Sequence, residues 1–221
     1  MINNNNNNFL NKSVMVNNNN FLNKSIMLNT NNFSNSTQMN NNNNFNNFNN
    51  QNNNVFNNNN TNNYNNNFQN NLNTIYIGKD KQVLDLNYIA ELYGKKSNVN
   101  IEVQGALKDK AKKNFKGTID FKKGCKKATG EENENCMLLS DTAKSIALPM
   151  LLCSEEDVEG AHSSSAGKVG DKELFYIMSR GFELKEAQKL LVRANFNKIL
   201  ENIKNEDLKE KVLQQIDRRL D

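Results

Sequence analysis

The sequence predicts a mainly β fold that gives way, toward its C-terminal end, to a small set of helices. Three observations carry that expectation. Short apolar or β-branched runs recur between Thr74 and Cys153, several with two-residue alternation, the period of a strand with one buried face. Gly78, Gly94, Gly105, Gly117, Gly124 and Gly130 punctuate those runs. From Asp171 onward the apolar residues fall at three- and four-residue spacing instead, the period of amphipathic helices. Many strands at close spacing, without helices between them, leave a sandwich, a barrel or a solenoid open.

The 221 residues overstate the globular part, because residues 1–73 are nearly all Asn with scattered Phe, Leu and Met. Asn side chains compete with regular structure by hydrogen-bonding to the local backbone, so this tract is expected to be disordered. Phe9, Phe21, Phe33 and Phe45 recur at a spacing of twelve, and Phe9-Leu-Asn-Lys-Ser-Val-Met is nearly copied at Phe21. A sharper reading makes each such unit one coil of a β-solenoid. The remaining chain divides where the period changes, into a strand region, 74–170, and a helical region, 171–221.

Within the strand region the elements are Thr74-Ile-Tyr-Ile, Val83-Leu-Asp-Leu, Val99-Asn-Ile-Glu-Val and Thr118-Ile-Asp-Phe. Met137-Leu-Leu, Ser145-Ile-Ala-Leu and Met150-Leu-Leu-Cys continue the series. The one proline, Pro149, is expected to mark the entry or a bend of its strand. In the helical region Asp171 is a good N-cap and Gly181 a good residue to stop the first helix. The second helix reads Ala187, Leu190, Leu191, Ala194, Ile199 and Ile203 as its apolar face, and the third Leu208, Val212, Ile216 and Leu220. Those stripes must be buried on the β core, on each other or on a partner.

The net charge is +4, from 28 basic and 24 acidic residues, which demands neither a nucleic acid nor a membrane surface as partner. The lysines from Lys108 to Lys127, Lys113 among them, read as solvated faces and turns; a polyanion-binding patch would want aromatics interleaved with them. Cys125, Cys136 and Cys153 are an odd number without CxxC spacing, which speaks against a disulfide scaffold and for reducing cytosol. Met1-Ile2 leads straight into Asn, unlike a signal peptide, and no run reaches the roughly twenty apolar residues that span a bilayer. The expectation is a soluble, cytoplasmic protein.

The stretch from Cys153 to Gly181 contains His162, the only histidine. A phosphate loop there fails, because His162 stands where the first glycine belongs and Val169 where the Ser or Thr belongs. Ser163, Ser164 and Ser165 beside His162 do not make a hydrolase, since adjacent side chains on a strand point apart. A metal or cluster ligand is a sharper reading of His162, with Cys136 or Cys153 supplying thiolate. One histidine and three scattered cysteines do not make a site on a monomer, and a structural or exposed histidine is the plainer reading. A site shared across a subunit interface would alter that balance.

Several motifs in order resemble the core domain of the SufB/SufD family, scaffold proteins of the SUF system of iron–sulfur cluster assembly. They are Gly117-Thr-Ile-Asp-Phe, Cys136-Met-Leu-Leu-Ser-Asp-Thr-Ala, Pro149-Met-Leu-Leu-Cys, Glu156-Asp-Val-Glu-Gly-Ala-His, Gly167-Lys-Val and Leu174-Phe-Tyr-Ile-Met-Ser-Arg-Gly-Phe. The resemblance covers roughly residues 74–221, with the Asn-rich tract outside it. It implies a right-handed parallel β-helix followed by a small helical region, which selects the solenoid among the β folds left open above.

The resemblance also implies a non-enzymatic scaffold. A SufB-type and a SufD-type subunit would pair through their β-helices, with a homodimer as the alternative pairing. Helices 171–221 would dock a SufC-type ABC ATPase, and an iron–sulfur cluster would form transiently at the subunit interface. Where SufB-type chains carry a cluster-assembly cysteine this chain has Ala143, and after the motif histidine it has Ser163 rather than an acid. It thus resembles the SufD type, whose histidine at the interface is matched by His162. Cys136 and Cys153 do not fall where the family's ligand cysteine is expected and stand as further candidate ligands. The competing reading is a solitary β-solenoid interaction protein without cluster assembly.

Overall fold

Each alternating run becomes one rung of a parallel β-helix. In the computed structural model the described residues are 10–15, 26–34 and 54–221. Their strands are β1 (Leu10–Met15), β2 (Ile26–Ser34), β3 (Asn54–Asn63), β4 (Gln69–Gly78), β5 (Val83–Leu92), β6 (Asn98–Leu107), β7 (Lys112–Phe121), β8 (Ala128–Leu138), β9 (Lys144–Cys153) and β10 (Val158–Lys168). Helices α1 (Asp171–Met178), α2 (Leu184–Leu200) and α3 (Glu206–Leu220) follow. No described helix is long and apolar enough to cross a membrane.

The strands form two sheets, ordered β1-β2-β4-β6-β8-β10 and β3-β5-β7-β9. From β3 onward every pairing is parallel, so the chain winds from one sheet to the other and back through four coils. A coil takes about thirty residues: Asn98 stacks on Gln69, and Lys112 on Val83. The twelve-residue coil is therefore corrected. β1 and β2 come from two of those repeats; they pair antiparallel with each other, and β2 pairs antiparallel with β4.

Strand pairing also reaches into the Asn-rich tract. β3 and the first half of β4 lie before Thr74 and align residue for residue with β5 and β6. Ladder hydrogen bonds belong to the backbone, and Asn supplies them as any residue does. The expected disorder of 1–73 gives way at these strands; Phe9, Phe21 and Phe45 lie outside the described residues.

Two corners alternate around the helix. Asp80 and Asp109 take left-handed φ angles of 58° and 57° at equivalent points of successive coils, a conformation Asp tolerates better than most residues. The neighbouring coils are tied there by Lys110 N–H donating to the Asp80 carbonyl at 2.8 Å. Lys108 and Lys110 flank this corner, whereas Lys122, Lys123, Lys126 and Lys127 crowd the opposite one, so the basic stretch forms no single patch. Lys113 departs from the solvated reading altogether, being fully buried.

The helices cover the outer face of the six-stranded sheet. Val192, Phe196, Ile199, Val212, Ile216 and Leu220 pack on Ile75, Ile77 and Ala106. The buried stripe of α2 is rotated from the one expected: Leu190 and Ala194 are exposed, while Val192 and Phe196 are buried. Gly170, not Asp171, is the N-cap of α1, with no side-chain cap bond; Gly181 does take a left-handed φ of 93° just past its end. Pro149 sits in mid-strand, because β9 is an edge strand, where a missing N–H is tolerated.

An open lumen mouth around His162

His162 stands on β10, a strand that periodicity does not reveal. Its sequence, Val-Glu-Gly-Ala-His-Ser-Ser-Ser-Ala-Gly-Lys, has no apolar alternation. Eleven residue pairs to β8 hold it in the sheet. In parallel pairing, matched residues share a face, so His162 projects on the same side as Glu132, Ser164 as Glu134, and Ala166 as Cys136. That side is the lumen. Ser164 confirms it by donating from Oγ to Glu134 Oε2 at 2.9 Å, whereas Ser163 bonds Asn133 on the outer face.

β9 and β10 are the last coil, each an edge strand of its sheet. The lumen therefore opens at this end, and His162 is exposed although it faces inward. One coil deeper the lumen is polar. Lys113 Nζ lies 2.7 Å from Glu134 Oε1, with both side chains fully buried. Tyr76 donates its hydroxyl to the same oxygen at 2.8 Å, and Lys113 Nζ also stands 5.6 Å from the ring centre of Phe115. Gly105 makes room for the Tyr76 ring, since a Cβ there would come within 1.8 Å of it.

Glu132 differs from Glu134. Both of its carboxylate oxygens are buried, with no hydrogen-bond partner among the described residues. Burial, and then the charge of Glu134, push its carboxyl up to about 7. Burial likewise raises the Tyr76 phenol and the Cys136 thiol, the latter against the opposing pull of the Tyr76 hydroxyl and the Lys113 charge.

The three sequence-derived candidates do not converge within one chain. Cys136 shares the lumen face with His162 but sits one coil deeper, level with Ala166, and is sealed from solvent. Four residues of strand, roughly 13 Å, separate that level from His162. Cys153 ends β9, level with Phe121, and is exposed. Among the described residues no three His, Cys, Asp or Glu side chains gather as a metal site. Sequence reasoning missed Tyr76, Lys113, Glu132 and Glu134 as lumen residues. The signal was present in Lys79-Asp80-Lys81, which returns as Lys108-Asp109-Lys110. That repeat fixes the coil length and with it the register.

Comparison with known proteins agrees with this architecture. Residues 13–195 match the family described as "SUF system FeS cluster assembly, SufBD core domain". The match reaches further into the Asn-rich tract than the motif resemblance did. The chain is similar to the iron-sulfur cluster assembly protein SufD of Bacillus subtilis, 30% identical over 147 residues, covering 66% of this chain and 34% of the relative. SufD of Escherichia coli is 30% identical over 114 residues, covering 52% and 27%. An iron-sulfur cluster assembly SufBD family protein of Pyrococcus horikoshii is 28% identical over 131 residues, covering 59% and 29%. The chain thus spans about a third of the length of these curated relatives. With a four-coil parallel β-helix, three helices behind it and a family match over most of its length, the chain belongs to the SufBD core-domain family of the SUF system of iron–sulfur cluster assembly.

Proposed function

We propose that the chain is a SufD-like scaffold subunit of a cytoplasmic SUF-type complex, and that it lends His162 to a cluster built at the junction with a SufB-like subunit. One observation carries the reading: the sole histidine faces the lumen from the last coil, where both strands have a free edge. The outer row of β9 suits a partner at that edge, because Ile146, Leu148, Met150 and Leu152 are apolar and exposed. Outward positions on the neighbouring β7 are instead Lys112, Asn114, Lys116, Thr118 and Asp120.

The scaffold performs no bond chemistry of its own; iron and sulfide are its cargo. His162 would supply an imidazole nitrogen as ligand, and Cys153, exposed at the same end, a sulfur. Cys136 can join them only if the last coil lifts away. The second interaction surface is the helical region. On and after α1, Phe175, Tyr176, Met178 and Phe182 are exposed, an apolar patch suited to an ABC ATPase of the SufC type. A second copy of the chain is the other candidate for the open edge.

Anaerobic co-purification tests the reading, with iron and sulfide measured on the eluate. A SufB-like chain and an ABC ATPase should come with the protein. His162→Ala should leave that complex intact and lower cluster yield on reconstitution at least tenfold. Unchanged yield overturns the role of His162, and a chain that brings neither partner overturns the scaffold reading in favour of a solitary solenoid.

A further inference from the structure

Glu132 is a buried carboxylate that nothing around it satisfies. The residue is 0% exposed, and neither carboxylate oxygen has a hydrogen-bond partner among the described residues. Its neighbour Glu134 takes bonds from Tyr76, Lys113 and Ser164, so the one buried ammonium nearby is already committed. Carboxylates are not left bare in an interior without compensation. Space has nevertheless been cut for this one. It lies against Gly117 of β7, where a Cβ would come within 1.8 Å of Glu132 Oε1.

Directly above Glu132, on the next strand and the same face, is His162. Neighbouring strands are about 4.8 Å apart, so an imidazole nitrogen and a carboxylate oxygen can share an ion bound at about 2.0–2.2 Å by each. We propose that Glu132 and His162 together form a site for a divalent first-row metal ion, iron(II) in the working complex, at the mouth of the lumen. His162 approaches from the solvent side and Glu132 from beneath. An imidazole–carboxylate pair suits such ions. The ion supplies the charge that Glu132 lacks, and its remaining positions stay open to water, sulfide or a partner's ligands. The proposal rests on the reading of His162 above and adds to it where the metal enters.

The single histidine makes the test direct, because its imidazole proton signals need no assignment. Cobalt(II) is titrated anaerobically into the full chain while those signals and the cobalt absorption are followed. One cobalt(II) per chain should shift and broaden the His162 signals. E132Q should weaken binding by at least about tenfold, and so should G117A, whose Cβ takes the place of the carboxylate. H162A should abolish it. Far-UV circular dichroism checks that each variant folds; E132D, which keeps the charge and withdraws the oxygens by one methylene, serves if E132Q does not. Equal cobalt midpoints in wild type, E132Q and G117A overturn the role of Glu132 and leave that of His162 standing. His162 signals unmoved by cobalt in the wild type overturn the metal site, while co-purification still decides the scaffold reading.

Discussion

The lumen of this β-helix is filled in two different ways. Between β4, β5 and β6 it is packed chiefly with Leu72, Leu84, Leu86, Leu92, Val99 and Ile101, and its buried polar side chains, such as Asn70 and Thr74, are uncharged. Between β7, β8 and the last coil Phe115, Ile119 and Phe121 share it with the charged Lys113, Glu132 and Glu134 and with Ser145 and Ser164, and His162 stands at the mouth. The coil geometry is the same in both, so backbone winding does not require the polar filling. Apolar packing would stabilise the second half more cheaply, since a buried ion pair seldom repays its desolvation. The contrast identifies the polar half as the part shaped by something other than stability.

Five substitutions sharpen or break that contrast, each measured by urea unfolding. Lys113→Met should cost the most, about 3–5 kcal/mol, because it strands the Glu134 charge in the interior. Adding Glu134→Leu should recover most of the loss; a double variant as unstable as the single one would mean the pair is indispensable to packing. Leu86→Ala, in the apolar half, should cost about 3 kcal/mol through its cavity, independently of pH.

Glu132→Gln should act in the opposite direction and depend on pH. The folded-state pKa of Glu132, about 7, lies above the ordinary glutamate value of 4.5. Its stability contribution is therefore fully present below pH 4.5 and lost as pH rises toward 7. The variant should match wild type near pH 4.5 and exceed it by about 3 kcal/mol at pH 8; parallel stability curves would show that Glu132 is compensated. Ser164→Ala should have the smallest effect, about 1 kcal/mol or less, by removing one bond to Glu134. A larger loss would mean that the last coil is held chiefly by that bond.

Much of the architecture was legible in residues alone. Alternation located β4 to β7, and the helical stripe Val212, Ile216, Leu220 is buried as its spacing implies. Two further apolar runs, around Ile146 and Met150, proved to be one strand, β9, whose outward residues are apolar because it is an edge. β10 was not legible, since Gly, Ala and Ser carry no pattern and only pairing with β8 fixes them. His162 was legible as the sole histidine, but its level above Glu132 depends on a register that no local signal states. Lys113 misled most: a lysine in a basic stretch looks solvated until Glu134 appears beside it from the opposite sheet.

One consequence follows from the last coil having a neighbour on one side only. Among the described strands β9 pairs with β7 alone and β10 with β8 alone, whereas β4 to β8 are each flanked on both sides. In a stacked array, opening proceeds from the ends, and terminal units exchange their amide hydrogens first. The amides of β10 should exchange sooner than those of β6, and the His162 rung is the first to come loose. Whatever adds a strand to that edge turns a fraying end into an interior rung, so the order of the histidine is set by occupancy of the edge.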